Sequence, residues 1–342
     1  MPSARVFSAI AVASTLVAGA ATAGCTTAEP APVTVVAAAP LADPPAAEAG
    51  FPSAATTGVP TGTVLTLWRG GDRLGGGDSR ATGTTIVDGI ACDVYDGFRF
   101  ELEGDRQMRV VGPCVVVRNS WFSSTSDVSA LLTQTESSGL LVVERSTFDG
   151  GPFHVRGVQG DFADLRVSDS AFFRFGNAAI EMNDRSATAT LTVEGCYLFE
   201  TTGWPRDQHV DGVQMDAGGA VVVRNTTILI TPFGDPGGAE DYDYVSNSAI
   251  GVGATLGDIG TVLLEGNLLA GGGRLIYLQQ KDYRFTGDVT VLDNVFDQRW
   301  YPAGAIWGPL HPDGLPEGLV WEGNRLGDGT PVDLAAALAL SP

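Results

Sequence analysis

The sequence predicts an all-β chain wound as a right-handed parallel β-helix of roughly 8–10 coils. Three observations carry that expectation. A six-residue pattern recurs eight times, its apolar positions fall in the same columns each time, and a second apolar-alternating segment follows it in most repeats.

In chain order, residues 1–25 come first, with one early cation (Arg5), an apolar run too short to span a bilayer, and small residues before Cys25. That is the pattern of an export signal. Thr22-Ala23-Gly24-Cys25 resembles a bacterial lipobox, so Cys25 is the expected lipidation site and the only expected link to a membrane. The protein is expected to be exported, either as a cell-membrane lipoprotein or as a freely secreted chain. Residues 26–60 are Ala, Pro and Thr with scattered acids, too poor in apolar groups to offset the entropy of ordering, and are read as a disordered tether. Residues 61–342 contain no second linker and are read as one β-helix domain. A net charge of −20 argues against nucleic acid as a partner. Cys92 and Cys114, 22 residues apart in an exported chain, are the expected disulfide.

The repeat reads VRNSWF from Val117, VERSTF from Val143, VSDSAF from Val167, VEGCYL from Val193 and VRNTTI from Val223. It continues with LEGNLL from Leu264, VLDNVF from Val291 and WEGNRL from Trp321. The steps are 26, 24, 26, 30, 41, 27 and 30 residues. An antiparallel sandwich has no reason to repeat one column order so often. Stacked coils do, because each turn sets equivalent side chains above one another at about 4.8 Å. The sixth column (Phe122, Phe148, Phe172, Leu198, Ile228, Leu269, Phe296, Leu326) is then core. The fourth (Ser120, Ser146, Ser170, Cys196, Thr226, Asn267, Asn294, Asn324) is a ladder of stacked hydrogen bonds, which makes Cys196 structural. The long step leaves residues 231–244, with Asp235, Glu240, Asp241 and Asp243, as an acidic insertion that would clip calcium, wall a groove or simply be solvated.

Second strands are expected at 153–157, 179–184, 211–216, 249–253, 275–280 and 305–308. Alternation puts Ile180, Met182, Val213, Met215, Ile250, Val252, Ile276 and Leu278 inside. One outward column is then His154, Glu181, Gln214, Gly251, Tyr277, Trp307, and a second is Arg156, Asn183, Asp216, Gly253, Gln279. Asp211 and His209 would sit on the leading edge beside Ser248 and Arg274.

A tall polar face of carboxylates, amides, Arg, Tyr and Trp suits a polysaccharide or oligosaccharide, whose hydroxyls pair with polar groups and whose ring faces stack on aromatics. Glu181, His209 and Asp211 are the candidate catalytic residues. Two carboxyl groups on neighbouring coils would fall within the roughly 5–9.5 Å that glycoside hydrolysis requires. Elimination at a uronic acid needs instead a base and a cation, for which Arg156, Arg274 and Lys281 are candidates. His154, Asn183, Asp207, Gln214, Asp216, Tyr277, Gln279, Arg299, Tyr301 and Trp307 complete the expected substrate-binding set. Calcium is the one cofactor the sequence suggests, held through oxygen ligands of Asp207, Asp211 and Asp216 or of Glu181. Three histidines at 154, 209 and 311 lack zinc spacing. The alternative is a non-catalytic glycan-binding or cell-envelope lipoprotein, and a monomer is expected either way.

TGVPTGTVLTLW (57–68), HVDGVQ (209–214), NSAIGVG (247–253), GGGRLIYL (271–278) and NVFDQRWYPAGAIW (294–307) resemble a family of exported actinobacterial right-handed β-helix proteins. The coils themselves resemble the pectate-lyase-like class. The resemblance covers most of residues 57–326 and implies the fold. It also implies a His-x-Asp-Gly-x-Gln rung followed by an Arg-Tyr segment, here Arg299, Trp300 and Tyr301. It implies no particular chemistry: the polygalacturonase Asn-Thr-Asp pattern and the epimerase Asp-Pro-His-Glu run are both absent.

Overall fold

Each repeat is one turn of a parallel β-solenoid of about eight turns in the computed structural model, which describes residues 32–37, 48–134, 139–200, 210–231 and 248–340. A turn visits three sheets in fixed order. Leu140–Glu144 lies in the first, Thr147–Asp149 in the second and Arg156–Gly160 in the third, before Asp164–Ser168 returns to the first one strand further along. Among the described residues these sheets hold 10, 11 and 8 strands. Val33–Pro342 forms one unit by its contacts.

The corner between the first and second sheets explains the repeat's third column. Asn119, Arg145, Asp169, Asn225 and Asp293 have φ between 44° and 53°, and Gly195, Gly266 and Gly323 between 62° and 65°. Left-handed backbone favours Gly, Asn and Asp, the residues found there in every repeat except at Arg145. That kink lets the polar fourth residue point inward while the sixth joins the core.

The inward polar column forms a continuous ladder. Backbone N–H groups of Ser120 and Ser146 donate to Oγ of the next coil's serine at 3.2 and 3.1 Å. Thr226, Asn267 and Asn294 donate likewise to the next Asn Oδ1, each at 3.0 Å. Cys196 sits in this ladder, fully buried, its thiol pushed up to about 12 by that burial. Beside it the sixth column packs in register, and Phe100, Phe122, Phe148 and Phe172 stack at 4.3, 4.7 and 4.7 Å between ring centroids. In-register stacking turns each apolar residue into part of a rod of core rather than an isolated contact.

Extra elements pack at both ends of the solenoid. Thr34–Val36 adds antiparallel to Val64–Leu67, and Gly83–Val87 adds antiparallel to Ile90–Asp96. At the other end the helix Leu334–Ala339, capped by Asp333 Oδ1 accepting from Ala336 N at 2.7 Å, brings Ala337 onto the last coil. A disulfide joins Cys92 to Cys114, register neighbours on adjacent coils with Cα atoms 4.5 Å apart.

The expected tether ends earlier than Pro60. Residues 48–60 form a strap across the second sheet: Thr227 Oγ1 donates to Pro52 O at 2.8 Å, Gly58 N to Asp169 O at 2.8 Å, and Val59 N to Thr147 Oγ1 at 2.9 Å. Hydrogen bonds and close approach hold it, and these leave no apolar periodicity to read. A Cβ on Gly58 would lie 2.5 Å from Thr147 Oγ1, at a φ of +69°. Cys25 and, apart from Thr231, the acidic insertion at 231–244 lie outside the described residues.

Candidate functional site

The third sheet carries the polar face. Its register aligns Gln159, Glu181, Gln214, Gly251 and Tyr277 in one outward column. Asp211, Ser248 and Arg274 align on the leading edge, as expected. Two sequence assignments are corrected. Arg156–Gly160 begins three residues later than the expected strand, so Gln159 and not His154 neighbours Glu181, and Arg156 moves to the Ala178–Asp211 edge column. Residues 305–308 form no strand, and Leu310 bridges Ile276, so His311 and not Trp307 stands over Tyr277.

A slot of about 430 Å³ opens in this face. Its floor is Gly251 and Gly253, its walls Gln214 and Asp216 on one side and Tyr277 and Gln279 on the other, with Asp211, Ser248, Thr255, Lys281 and His311 around it. The walls are two strand spacings apart, roughly 9–10 Å. Neither glycine has a positive φ, and a Cβ on Gly251 would come no closer than 3.1 Å, to Ser248 Oγ. The backbone conformation therefore does not demand glycine at this position, and a side chain would only have to press Ser248 Oγ aside by a few tenths of an ångström. The missing side chains are what make the slot.

Tyr277 is backed by His311, with ring centroids 4.6 Å apart and 27° between planes. Since that stack runs along the solenoid axis, the other face of Tyr277 looks across Gly251. Burial pushes the Tyr277 phenol above its ordinary value against the pull of the Arg274 guanidinium, and burial likewise lowers His311 and Arg274. Arg274 is buried, with its guanidinium carbon 5.9 Å from the Trp307 ring. His311 Nδ1 accepts from Asp313 N at 3.3 Å and lies 3.4 Å from the Asp313 carbonyl, so the Asp313 backbone can partner either tautomer.

The carboxylates are engaged. Glu181 accepts from Arg156 Nε on one oxygen and from Asn183 Nδ2 (2.8 Å) and Gln159 Nε2 (3.3 Å) on the other. Asp216 accepts from Gln214 Nε2 and Thr255 Oγ1, each at 2.8 Å, one on each oxygen. Asp211 Oδ1 accepts from Ser248 N at 2.8 Å and Ser248 Oγ at 2.5 Å. These bonds fix the polar wall and the orientation of its carboxylates. Among the described residues no group of three or more His, Cys, Asp or Glu could hold a metal ion.

Of the expected residues, the structure brings Asp211, Gln214, Asp216, Tyr277, Gln279 and Lys281 to the slot. Arg274 and Trp307 stand at its edge, and Arg156, Glu181 and Asn183 extend the polar face along the preceding coils. His154 and Arg156 line a separate cleft of about 380 Å³ with Asp105, Gln107, Asp127 and Ser129. Arg299 is not on this face: it pairs with Asp297 at 2.8 Å, just past the second-sheet strand Val295–Phe296, and Trp300 packs on that sheet's outer cluster. Tyr301 lies in the turn that Gly304 N closes onto its carbonyl. His209 and Asp207 lie outside the described residues. His311, Thr255 and Gln159 escaped sequence reasoning. For Gln159 the available signal was Val155 and Val158, three apart and both buried, which leave strand parity ambiguous.

Comparisons with protein-family models, with curated proteins and with solved structures returned no match. The class defined by fold and face is a parallel β-solenoid with a slotted polar groove. No described helix is long and apolar enough to cross a membrane.

Proposed function

We propose that this is an exported, lipid-anchored or secreted polysaccharide-active protein of the right-handed, pectate-lyase-like kind, which seats a sugar ring in the slot and cleaves its chain by elimination. The observation that carries the reading is the exposed face of Tyr277 above a glycine floor: a pyranose face stacks on an aromatic ring, and Gln214, Asp216 and Gln279 supply partners for its hydroxyls.

Elimination is favoured over hydrolysis because Glu181 and Asp216 have both oxygens hydrogen-bonded, whereas Lys281, Tyr277 and Asp211 meet at one slot. Lys281 neutralises the uronate carboxylate as the C5 proton leaves for the Asp211 carboxylate, which lines the slot on the sugar's side of Tyr277. The electron pair forms the C4–C5 double bond, and the departing glycosidic oxygen takes its proton from the Tyr277 phenol, which burial keeps protonated.

The same hydrogen-bonded wall also favours a second reading, a glycan-binding lipoprotein without turnover. Incubation with acidic and neutral polysaccharides, read by unsaturated-uronate absorbance and by reducing ends, separates the two. Unsaturated product that disappears in Lys281→Met and Tyr277→Phe supports elimination, binding without product leaves the second reading, and neither binding nor product removes both.

A further inference from the structure

At its N-terminal end the first sheet finishes in a hairpin unrelated to the slot. Gly83–Val87 and Ile90–Asp96 are joined by Asp88 and Gly89, with φ of 49° and 81°, the mirror-image type I turn that matches strand twist. The tip doubles back over the outer face of its own sheet, far enough for Arg166 Nη2 to donate to Asp88 Oδ2 at 2.5 Å. Between hairpin and sheet lies a cleft of about 330 Å³. Thr85 and Val87 roof it, and Val116, Val142, Arg166 and Thr192 floor it.

In a two-residue hairpin the flanking pair, here Val87 and Ile90, exchanges both backbone hydrogen bonds. Alternation then turns the N–H and C=O of Ile86 and Thr84 away from Ala91 and Asp93, toward the free edge. Thr84 and Ile86 are exposed, Ile86 to 74 %. Exposed edges are ordinarily guarded by lysine, proline or an inward charge, and Gly-Thr-Thr-Ile-Val has none of these. The ionic side chains around the cleft are already paired: Arg118 with Asp96 at 2.8 Å, Glu144 with Arg145 at 4.0 Å, Arg166 with Asp88 and Asp164, and Glu194 with Arg224 at 2.8 Å. What remains to meet a ligand is valine, threonine and serine, in a protein of net charge −20.

We propose that Gly83–Val87 is a docking edge for an extended, uncharged peptide segment of a protein partner. The segment adds to the sheet as a further strand, its main chain bonding Thr84 and Ile86 and every second side chain, of valine or threonine size, entering the cleft. Two independent features point to the same occupant, the unguarded edge and the neutral cleft beside it.

The probe is a short capped peptide of alternating valine and threonine, titrated calorimetrically into the full chain, with amide exchange followed in parallel. Saturable binding that slows exchange at Thr84 and Ile86 is expected. Ile86→Pro removes an edge amide that takes no part in the ladder to Ile90–Asp96, and should weaken binding about tenfold with the thermal transition kept. Ile86→Thr keeps that amide and should bind like the parent. Absence of binding at millimolar peptide, protection at other amides only, or undiminished affinity in a folded Ile86→Pro protein overturns the proposal.

Discussion

Replacing Asn294 with alanine tests whether the inward amide ladder contributes to stability beyond filling space. Asn294 Oδ1 accepts from Asn267 N at 3.0 Å and from Asn267 Nδ2 at 2.9 Å. Its Nδ2 donates to Leu264 O and Asn324 Oδ1, both at 3.0 Å. Truncation orphans the Asn267 amide outright. Asn267 Nδ2 keeps Val223 O at 2.8 Å, and Asn324 Oδ1 keeps the Asn294 amide at 3.0 Å. One fully orphaned buried donor costs about 1–3 kcal/mol and each of three weakened partners roughly 0.5–1 kcal/mol, so the expected loss is about 2.5–6 kcal/mol. Asn294→Ser retains an acceptor, as Ser170 Oγ provides for Ser146 N, and should cost about half as much. Urea unfolding followed by far-ultraviolet circular dichroism measures both. A loss under about 1 kcal/mol for the alanine variant would mean that water replaces the ladder at no cost, and the reasoning would fail.

Other consequences are equally direct. Gly251→Val fills the slot floor on an ordinary strand backbone and presses Ser248 Oγ aside by a few tenths of an ångström, so glycan binding should vanish while the protein still folds; retained affinity would show that sugar binds elsewhere. Arg145 holds φ at 44° in a column otherwise made of Asn, Asp and Gly, so Arg145→Asn should add about 0.5–1 kcal/mol, and a drop in melting temperature would contradict that. His154 and His311 are held below their ordinary 6.5, chiefly by burial, so the unfolded chain takes up protons that the folded one resists. Their contribution is therefore full above pH 6.5 and lost as pH falls through the lowered folded values, a slope that a His154→Gln, His311→Gln double variant should flatten.

Winding was readable because stacked coils force the same side chain into the same column. Val143, Val167, Val193 and Val223 follow one another in sequence steps and in register alike. The corner was readable in principle too, since a left-handed bend explains Asn, Asp and Gly recurring between a mostly charged second residue and a small fourth one. The polar face was harder. Glu181, Gln214, Gly251 and Tyr277 fell in line because alternating apolar residues flank each of them. His154 did not, because the bend before Arg156 breaks parity between two valines that are both buried. His311 was reached by no periodic signal, since its strand is a single bridge at Leu310. The slot itself appears in sequence only as two glycines in the outward columns, and the cavity they leave becomes visible once the register sets Gly251 between Gln214 and Tyr277.

The strap at residues 48–60 has a temporal side. Its Pro52 carbonyl is bonded by Thr227, 175 positions later. A ribosome releases the strap long before it releases the threonine, and winding that follows synthesis must build several coils while the earliest segment waits undocked. Among the first residues made, these are among the last to settle, so a protease present during synthesis should cut there before it can cut any coil.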